Sequence, residues 1–252
     1  MDREVTNFIK FWVKSFVLVT HRISCVYLRD SIQFEPKVPK YGYLERTNYQ
    51  FTCGERSRNM EKDYLLDLMR SKKTIFTFKD LILLWGESDV NFVKKKIHRY
   101  VKSGKINAVR RGIYSKDKDY DKYELATKIY TPAYISLETV LGAAGVTFQL
   151  YGQIFIVSYT TKEIECNGQK YSYKKIKDTI LTNQMGIESG GNYSIASPER
   201  AFLDIIYLNK DYHFDNLSVL NWEKVREILP IYDGNKRMAK MVKMYQRAVE
   251  EM

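Results

Sequence analysis

Two acidic residues in the second half of the chain are the best candidates for acid–base or metal chemistry. Glu199 and Asp204 stand five positions apart, just after Ser197-Pro198, and a nuclease would need such carboxylates to converge. On a helix, five positions correspond to about 140° of rotation, so the two side chains are expected to diverge. The simpler interpretation is that Glu199 favours the helix N-terminus and that Arg200 pairs with Asp204 at i,i+4. No catalytic residue is predicted, and the chain is not expected to be an enzyme.

Cysteines and histidines do not complete a site either. The three cysteines, at positions 25, 53 and 166, have no regular spacing, which favours a reducing compartment over a disulfide framework. The three histidines are far apart in the sequence, and no Cys/His cluster has the spacing of metal ligands. Neither a metal site nor a cofactor is therefore predicted.

Positive charge is concentrated in one stretch of the chain. The chain has 252 residues and a formal net charge of +11. Residues 60–116 hold 14 basic and 6 acidic residues, whereas residues 117–252 hold 17 basic and 18 acidic residues. A local excess of this kind indicates a polyanionic partner, either nucleic acid or an acidic membrane surface.

A membrane location is not expected. The most apolar N-terminal stretch, Phe8 to Val19, is interrupted by Lys10 and Lys14 and is too short to span a bilayer. The same stretch lacks the small-residue cleavage site of a signal peptide. The sequence therefore predicts a cytoplasmic protein without a membrane partner.

Residues 61–116 have clear helix and turn signals. Thr77, with Asp80 three positions later, resembles a capping box, and Ser88 is expected to cap the next helix. The predicted elements are a helix from Glu61 to Arg70, an extended Ile75-Phe76, a helix from Thr77 to about Gly86, a helix from Asp89 to about Ser103, and a hairpin of Ile106–Val109 and Ile113-Tyr114. This order predicts a winged helix-turn-helix within residues 60–116.

The third of these helices is predicted to carry the DNA-binding surface. From Ser88 to Lys116 the chain has nine basic residues and one acidic residue, Asp89. The residues predicted to contact DNA are Lys94, Lys95, Lys96, Arg99, Lys102, Lys105, Arg110 and Arg111. Lysines favour phosphates, so only Arg99, Asn91 and His98 are suited to reading bases. A solvated lysine-rich face and a protein-binding winged helix remain alternatives.

Residues 117–252 are predicted to form a larger, mixed α/β domain, so that the fold class is α+β. The clearest signals are Asn167-Gly168 between two short strands, Ser136 as a helix cap, and Ser197-Pro198 at the start of a helix that ends at Leu208. A basic helix is predicted from Asn235 to Met252. It could be a second nucleic-acid contact, a protein-docking helix or an ordinary surface helix.

Residues 1–59 have weak periodicity and are expected to be a poorly structured extension. Residues 54–59, Gly-Glu-Arg-Ser-Arg-Asn, can be encoded by purine-rich codons like those of a bacterial ribosome-binding site. One hypothesis is that Met60 is the natural start, and the other is that residues 1–59 are a genuine flexible extension.

Three segments of the chain together resemble one protein family. They are YVKSGKI at residues 100–106 with RGIY at 111–114, PAYISLETVL at 132–141, and ASPERAFLD at 196–204. Their order and separation resemble the AbiEi-type antitoxins of bacterial abortive phage infection systems, over about Met60 to Leu229. The resemblance implies a DNA-binding domain that represses its own promoter, followed by a domain that counteracts a nucleotidyltransferase-like toxin without forming a stable complex. The alternatives from the residues alone are a ligand-responsive transcription factor without a toxin and, with less support, a nuclease.

Overall fold

The computed structural model describes residues 63–149 and 151–251, which all belong to one structural unit, Arg58–Met252. The predictions for residues 1–59, and for a helix start at Glu61, lie outside the described residues. Within the described residues the fold is mixed α+β, as the sequence predicts.

The N-terminal part of the described chain consists of three helices and a small sheet. Its elements are α1 (Tyr64–Arg70), β1 (Ile75–Thr77), α2 (Phe78–Trp85), α3 (Val90–Lys102), β2 (Asn107–Arg110) and β3 (Ile113–Ser115). The three strands form an antiparallel sheet in the order β1-β3-β2. The capping box predicted at the start of α2 is confirmed: the Thr77 hydroxyl accepts the Asp80 N–H, and the Asp80 carboxylate accepts the Thr77 N–H.

The larger, C-terminal part is built on a six-stranded mixed sheet. Its elements are α4 (Lys122–Ile129), β4 (Ala133–Ile135), α5 (Glu138–Ala143), β5 (Gln153–Ser158), β6 (Lys162–Cys166), β7 (Gln169–Lys175), α6 (Asp178–Leu181), β8 (Ile187–Ser189), β9 (Ser194–Ala196), α7 (Pro198–Leu208), α8 (Trp222–Ile228), a 3-10 helix (Leu229–Tyr232) and α9 (Lys236–Glu250). The strand order is β6-β7-β5-β4-β9-β8, in which β5 pairs with β7, and β4 with β9, in parallel. The hairpin predicted at Asn167-Gly168 is confirmed, and both residues have positive φ, 49° and 76°.

Two predicted helix caps are wrong. Asp89, not Ser88, caps α3, and its carboxylate accepts the N–H groups of Asn91 and Phe92. Ser136 does not cap α5, because its hydroxyl is used elsewhere in the core. The cap position of α5 is Leu137, which has a φ of 58° and makes no side-chain cap hydrogen bond.

The larger sheet separates the helices into two layers. Tyr173 on β7 donates to the carbonyl oxygen of Ala126, so α4 lies on one face of the sheet. Tyr134 on β4 donates to Asp204, so α7 lies on the opposite face. Residues that pair across neighbouring strands lie on the same face of a sheet. Tyr173 pairs with Ile156 and Tyr134 pairs with Val157. Because these successive residues of β5 point to opposite faces, Tyr173 and Tyr134 also point to opposite faces.

The small sheet is packed on both of its faces. Phe76 of β1 belongs to a core with Leu81, Trp85 and Val93 of the first helices. Ile75, the preceding residue, belongs instead to the core of the larger part. Because successive strand residues point to opposite faces, β1 and β3 join the two parts of the described chain through a shared sheet.

Candidate nucleic-acid interface

Helix α3 has one buried side and one exposed side. Val93 and Ile97 are buried against α1 and α2, at 0% and 3% exposure. The helix ends at Lys102, and Gly104 follows with a φ of 68°. Burial of one side fixes the opposite side toward solvent.

The exposed side of α3 carries most of the residues predicted to contact DNA. Lys94, Lys95, Arg99 and Lys102 are all exposed, together with Asn91 and His98. At 100° per residue, these six positions fall within about 140° of the helix surface. A single continuous arc of α3 therefore presents four cations and two polar side chains.

Lys96 lies apart from that arc. Its ammonium nitrogen is 4.9 Å from the ring centroid of Tyr64, 5.9 Å from that of Phe92 and 5.7 Å from that of Tyr100. Phe92, which falls on the basic side of the helical wheel, packs against Tyr64 of α1 with ring centroids 5.7 Å apart. The i,i+4 spacing of Phe92, Lys96 and Tyr100 is the sequence signal for this aromatic flank, and sequence reasoning missed it.

Lys105, between α3 and β2, and two arginines of the β2–β3 hairpin supply the remaining predicted contacts. Lys105, Arg110 and Arg111 are exposed, and the register of the hairpin shifts between Ala108 and Arg110. Lys116, at the end of the hairpin, is engaged elsewhere, because its ammonium group donates to the carbonyl oxygens of Met69 and Ser71.

The base of the hairpin packs against the larger part of the protein. Val109 contacts the larger core. Burial raises the pKa of Tyr173 on β7, and the positive charge of Arg110 acts to lower it. The Arg110 guanidinium is therefore close enough to the larger sheet to interact with Tyr173. The hairpin is therefore held in place and does not project freely.

Seven of the eight residues predicted to contact DNA remain available to a ligand. These seven exposed cations are Lys94, Lys95, Arg99, Lys102, Lys105, Arg110 and Arg111. Their side chains form no hydrogen bond or ion pair with any residue in the described part of the chain. Lys105 makes one ring contact, with its ammonium nitrogen 5.8 Å from the ring centroid of Tyr100. Asp89, the acidic residue closest to them in sequence, is engaged in capping α3. The surface is thus cationic without an internal counter-charge.

The predicted i,i+4 pair of Arg200 and Asp204 is confirmed, and it is fully buried. The two side chains approach to 3.4 Å and are 0% exposed. Asp204 also accepts hydrogen bonds from Tyr134, Ser136 and Tyr232, at 3.0, 2.8 and 2.8 Å. Burial and the Asp204 carboxylate raise the pKa of both tyrosines well above its ordinary value, so their hydroxyls stay protonated donors. The carboxylate of Asp204 is therefore fully occupied by protein groups.

This buried network joins two of the segments that carry the family resemblance. Tyr134 and Ser136 belong to residues 132–141, and Arg200 and Asp204 belong to residues 196–204. Glu199 is also buried, and it accepts the N–H of Asn221 at 3.3 Å, which joins α7 to the start of α8. These segments build the interior of the larger part.

Two features are absent from residues 63–149 and 151–251. No group of three or more His, Cys, Asp or Glu side chains is arranged to hold a metal ion. No helix among those residues is long and apolar enough to cross a membrane.

Comparison with known proteins adds little. No family model matches the chain, and no curated protein is significantly similar to it. Among solved structures, the chain is similar to the RV2827C protein from Mycobacterium tuberculosis, with 13% identity and a TM-score of 0.39, over 71% of this chain and 74% of that one. A similarity of this size carries no argument about fold or function.

Proposed function

We propose that residues 63–116 form a winged helix-turn-helix that binds double-stranded DNA, and that the protein is a transcriptional regulator. The observation that carries the proposal is the set of seven exposed cations on α3, the β2–β3 hairpin and the link between them, none of which has an anionic partner within the described residues. An unneutralised cationic surface on one helix and the hairpin that follows it is the electrostatic footprint of a DNA-binding protein.

The geometry of α3 suits the major groove. Its 13 residues span about 20 Å, and a groove about 12 Å wide admits one such helix. The β2–β3 hairpin follows α3 directly in sequence, so Arg110 and Arg111 would contact the backbone or the minor groove beside it. Contacts from both elements would follow one side of a duplex.

The seven exposed cations and their neighbours would make two kinds of contact with DNA. The lysines are point charges and would bind phosphates, which set position and affinity. Arg99, Asn91 and His98 would reach base edges, because their side chains offer paired or directional hydrogen bonds. Lys96 would support α3 through the aromatic flank, without a phosphate contact of its own.

The more specific proposal is an autorepressor and antitoxin. It rests on the resemblance to AbiEi-type antitoxins, in which DNA binding is expected at the promoter of the antitoxin–toxin operon. The larger part would counteract a nucleotidyltransferase-like toxin without a stable complex. Because the motif residues of the larger part are buried around Asp204, the residues that carry antitoxin activity would lie elsewhere on its surface.

A second candidate is a regulator that responds to a small ligand. The observation that favours it is a cavity of about 550 Å³ lined by Tyr120, Glu138 and Gln153 among others. One carboxylate oxygen of Glu138 is buried without a hydrogen-bond partner. The cavity also touches Asp121, whose N–H donates to the Thr74 hydroxyl beside β1. A ligand there would reach the connection between the two parts.

DNA binding is tested with the full chain and a fragment of its own upstream promoter at 50 and 200 mM salt. Six to ten phosphate contacts would lower affinity roughly 10³- to 10⁵-fold over that range. Arg99→Ala/Arg111→Ala should weaken binding and reduce the salt slope by about 2, because two contacts are lost. The matched control, Lys162→Ala/Lys170→Ala, removes the same charge from exposed sites on the larger part and should bind like the wild type. Equal binding to random DNA, or no binding, would contradict the proposal.

The antitoxin role is tested by co-expression. A nucleotidyltransferase-like gene immediately downstream should inhibit growth alone and be tolerated together with this chain. Arg99→Ala/Arg111→Ala should still protect, since protection is assigned to the larger part. Growth inhibition that persists with the wild-type chain would contradict the antitoxin proposal and favour a regulator without a toxin.

A further inference from the structure

The C-terminal helix α9 carries a second, separate set of exposed cations. Lys236, Lys240, Lys243 and Arg247 are all exposed. At 100° per residue they lie within about 60° of one another, and at 1.5 Å per residue they span about 16 Å. These four residues are called the α9 stripe.

The α9 stripe forms no ion pair with a described residue, although two acidic residues lie at its C-terminal end. None of its four side chains forms a hydrogen bond or an ion pair with another described residue. The two acidic residues are Glu250, which accepts the amide of Gln246 at 2.9 Å, and Glu251, which lines the same groove as the four cations.

Charge in the larger part is segregated onto this helix. Residues 236–251 hold five basic and two acidic residues, whereas residues 117–235 hold 12 basic and 16 acidic residues. Cations that served only for solubility would not need to gather on one helix of an otherwise acidic region. The distribution indicates a polyanionic partner for α9.

Helix α9 is held rigidly, so the α9 stripe is fixed before any partner arrives. Met238 and Val242 are buried on its inner side. Arg237 donates to the carbonyl oxygens of Ile206 and Tyr207, at 2.8 and 3.1 Å, and so locks the start of α9 onto the end of α7. Tyr245 donates to the carbonyl oxygen of Tyr212 at 2.8 Å.

The apolar side of α9 is occupied by the protein core, which decides against one class of partner. A helix that binds a membrane surface inserts its apolar face among the lipids. In α9 that face is already packed against the core, so insertion is not open to it. The remaining surface carries the four cations and one exposed apolar side chain, Met244. A row of phosphates fits its charge, since duplex DNA carries one charge per about 1.7 Å of its axis.

Helix α9 and the small sheet pack beyond opposite faces of the larger sheet. Helix α9 docks on α7, on the face of the larger sheet that carries Tyr134. The small sheet and α3 lie on the other face, with α4, where Glu124 accepts the N–H of Thr74. The larger sheet therefore lies between α9 and α4, and the two sets of cations belong to different layers of the fold.

We propose that α9 is a second DNA-binding surface that holds a separate segment of duplex, so that one protein molecule can bridge two segments. This inference goes beyond the proposed role of α3, and the α9 stripe would bind phosphates without base specificity, since three of its four cations are lysines. Bridging by a regulator would bring two sites, or two turns of a bent promoter, together.

The test is a capture assay with two duplexes. The full chain is bound to a promoter duplex on beads, unbound protein is removed, and a fluorescent duplex of unrelated sequence is added. The wild type should retain the second duplex in a salt-sensitive manner. Lys240→Glu/Lys243→Glu should retain at least about tenfold less, while binding to the first duplex is preserved.

Two further variants keep this test decisive. Lys240→Gln/Lys243→Gln removes the same cations without introducing negative charge, so a folding defect of the Glu variant cannot hide the result. Lys162→Glu/Lys170→Glu makes the same charge reversal at exposed positions of β6 and β7 and should retain the second duplex fully.

The outcomes separate this proposal from the one for α3. Loss of promoter binding in Arg99→Ala/Arg111→Ala, with loss of the second duplex in the α9 variants, supports both. Unchanged promoter binding in Arg99→Ala/Arg111→Ala, with loss in the α9 variants, supports α9 and contradicts α3. A second duplex retained equally by the α9 variants overturns this proposal. So does a wild type that retains phosphatidylserine vesicles and no second duplex.

Discussion

Two neighbouring lysines of α3 have the same charge and different surroundings. Lys95 extends into solvent, whereas Lys96 is half-buried with its ammonium group over the rings of Tyr64, Phe92 and Tyr100. Electrostatic attraction to an aromatic face contributes about 0.5–2 kcal/mol, depending on solvent exposure. The aliphatic stem of Lys96 adds apolar contact. One lysine therefore belongs to the interface and the other to the packing of α1 against α3.

This difference predicts opposite effects of two alanine substitutions. Lys96→Ala should lower the free energy of unfolding by roughly 1 kcal/mol and leave the salt slope of DNA binding nearly unchanged. Lys95→Ala should change stability by less than about 0.5 kcal/mol and reduce the salt slope by about 1. Urea unfolding and salt titrations of promoter binding measure the two quantities. If both variants lost the same salt slope, Lys96 would be a phosphate contact after all.

At the residue scale, charge could be predicted from the sequence and packing could not. The seven exposed cations were found because a run of basic residues with few acidic neighbours is visible without coordinates. The sequence does not show that Lys96 packs over Tyr64, because Tyr64 belongs to another helix. The i,i+4 pair of Arg200 and Asp204 was found from spacing, but its hydroxyl donors come from distant elements.

Helix α2 depends on one carboxylate at its first turn. Burial raises the pKa of Asp80, but hydrogen bonds from the Thr77 N–H and hydroxyl, and the ammonium groups of Lys128 and Lys73, outweigh this and lower the pKa to about 2. The ionised carboxylate completes the capping box and meets Lys128 of α4 at 3.2 Å. The same group thus caps α2 and connects it to the larger part.

The lowered pKa predicts a loss of stability in acid. Because the folded-state pKa lies below the unfolded value of about 3.9, the contribution of Asp80 is complete above about pH 5 and is lost as the pH falls toward 2. Asp80→Asn should remove roughly 1 kcal/mol at pH 7, a figure reduced for solvent screening, and flatten the pH dependence between 5 and 2. Chemical denaturation at several pH values measures this. Parallel curves for the variant and the wild type would assign the acid sensitivity to other carboxylates.

At the element scale, local signals predicted most helices and the strands of the small sheet, but they missed β4, β8 and β9 of the larger sheet. Capping chemistry and helical periodicity gave the helices, including the start of α7 at Ser197-Pro198. Strands β4, β8 and β9 have three residues each, too few for an alternating pattern, and they exist because neighbouring strands pair with them. The predicted Ser136 cap of α5 is wrong for a related reason, because the Ser136 hydroxyl donates to Asp204, a residue of another helix.

At the scale of the whole molecule, the two parts of the described chain share interior structure. Ile75 and Ile113 of the small sheet lie in the larger core, while Phe76 lies in the smaller one. Glu124 of α4 is 0% exposed and accepts both the N–H and the hydroxyl of Thr74, at 2.8 and 2.7 Å. A boundary at residue 116 marks a change in charge and sequence pattern, but the core is continuous across it.

The shared interior predicts that both parts unfold together. Urea unfolding should give one transition by fluorescence and by circular dichroism, because unfolding of the small sheet would expose both cores. Glu124→Ala would leave the Thr74 N–H and hydroxyl without their buried partner and should cost roughly 2 kcal/mol. Hydrogen exchange should then rise first in β1 and β3, which α4 holds, and remain slow in β5.

The matched control is Glu163→Ala on β6, which removes an exposed carboxylate and should leave both stability and exchange unchanged. Two separate transitions in the wild type would mean that the shared sheet does not couple the parts. Faster exchange spread evenly over all strands of Glu124→Ala would mean that Glu124 contributes to general stability only. Faster exchange confined to β1 and β3 would identify Glu124 as the connection that sets how the cationic surface on α3 is held, which is the property that a regulator with a fixed DNA-binding geometry requires.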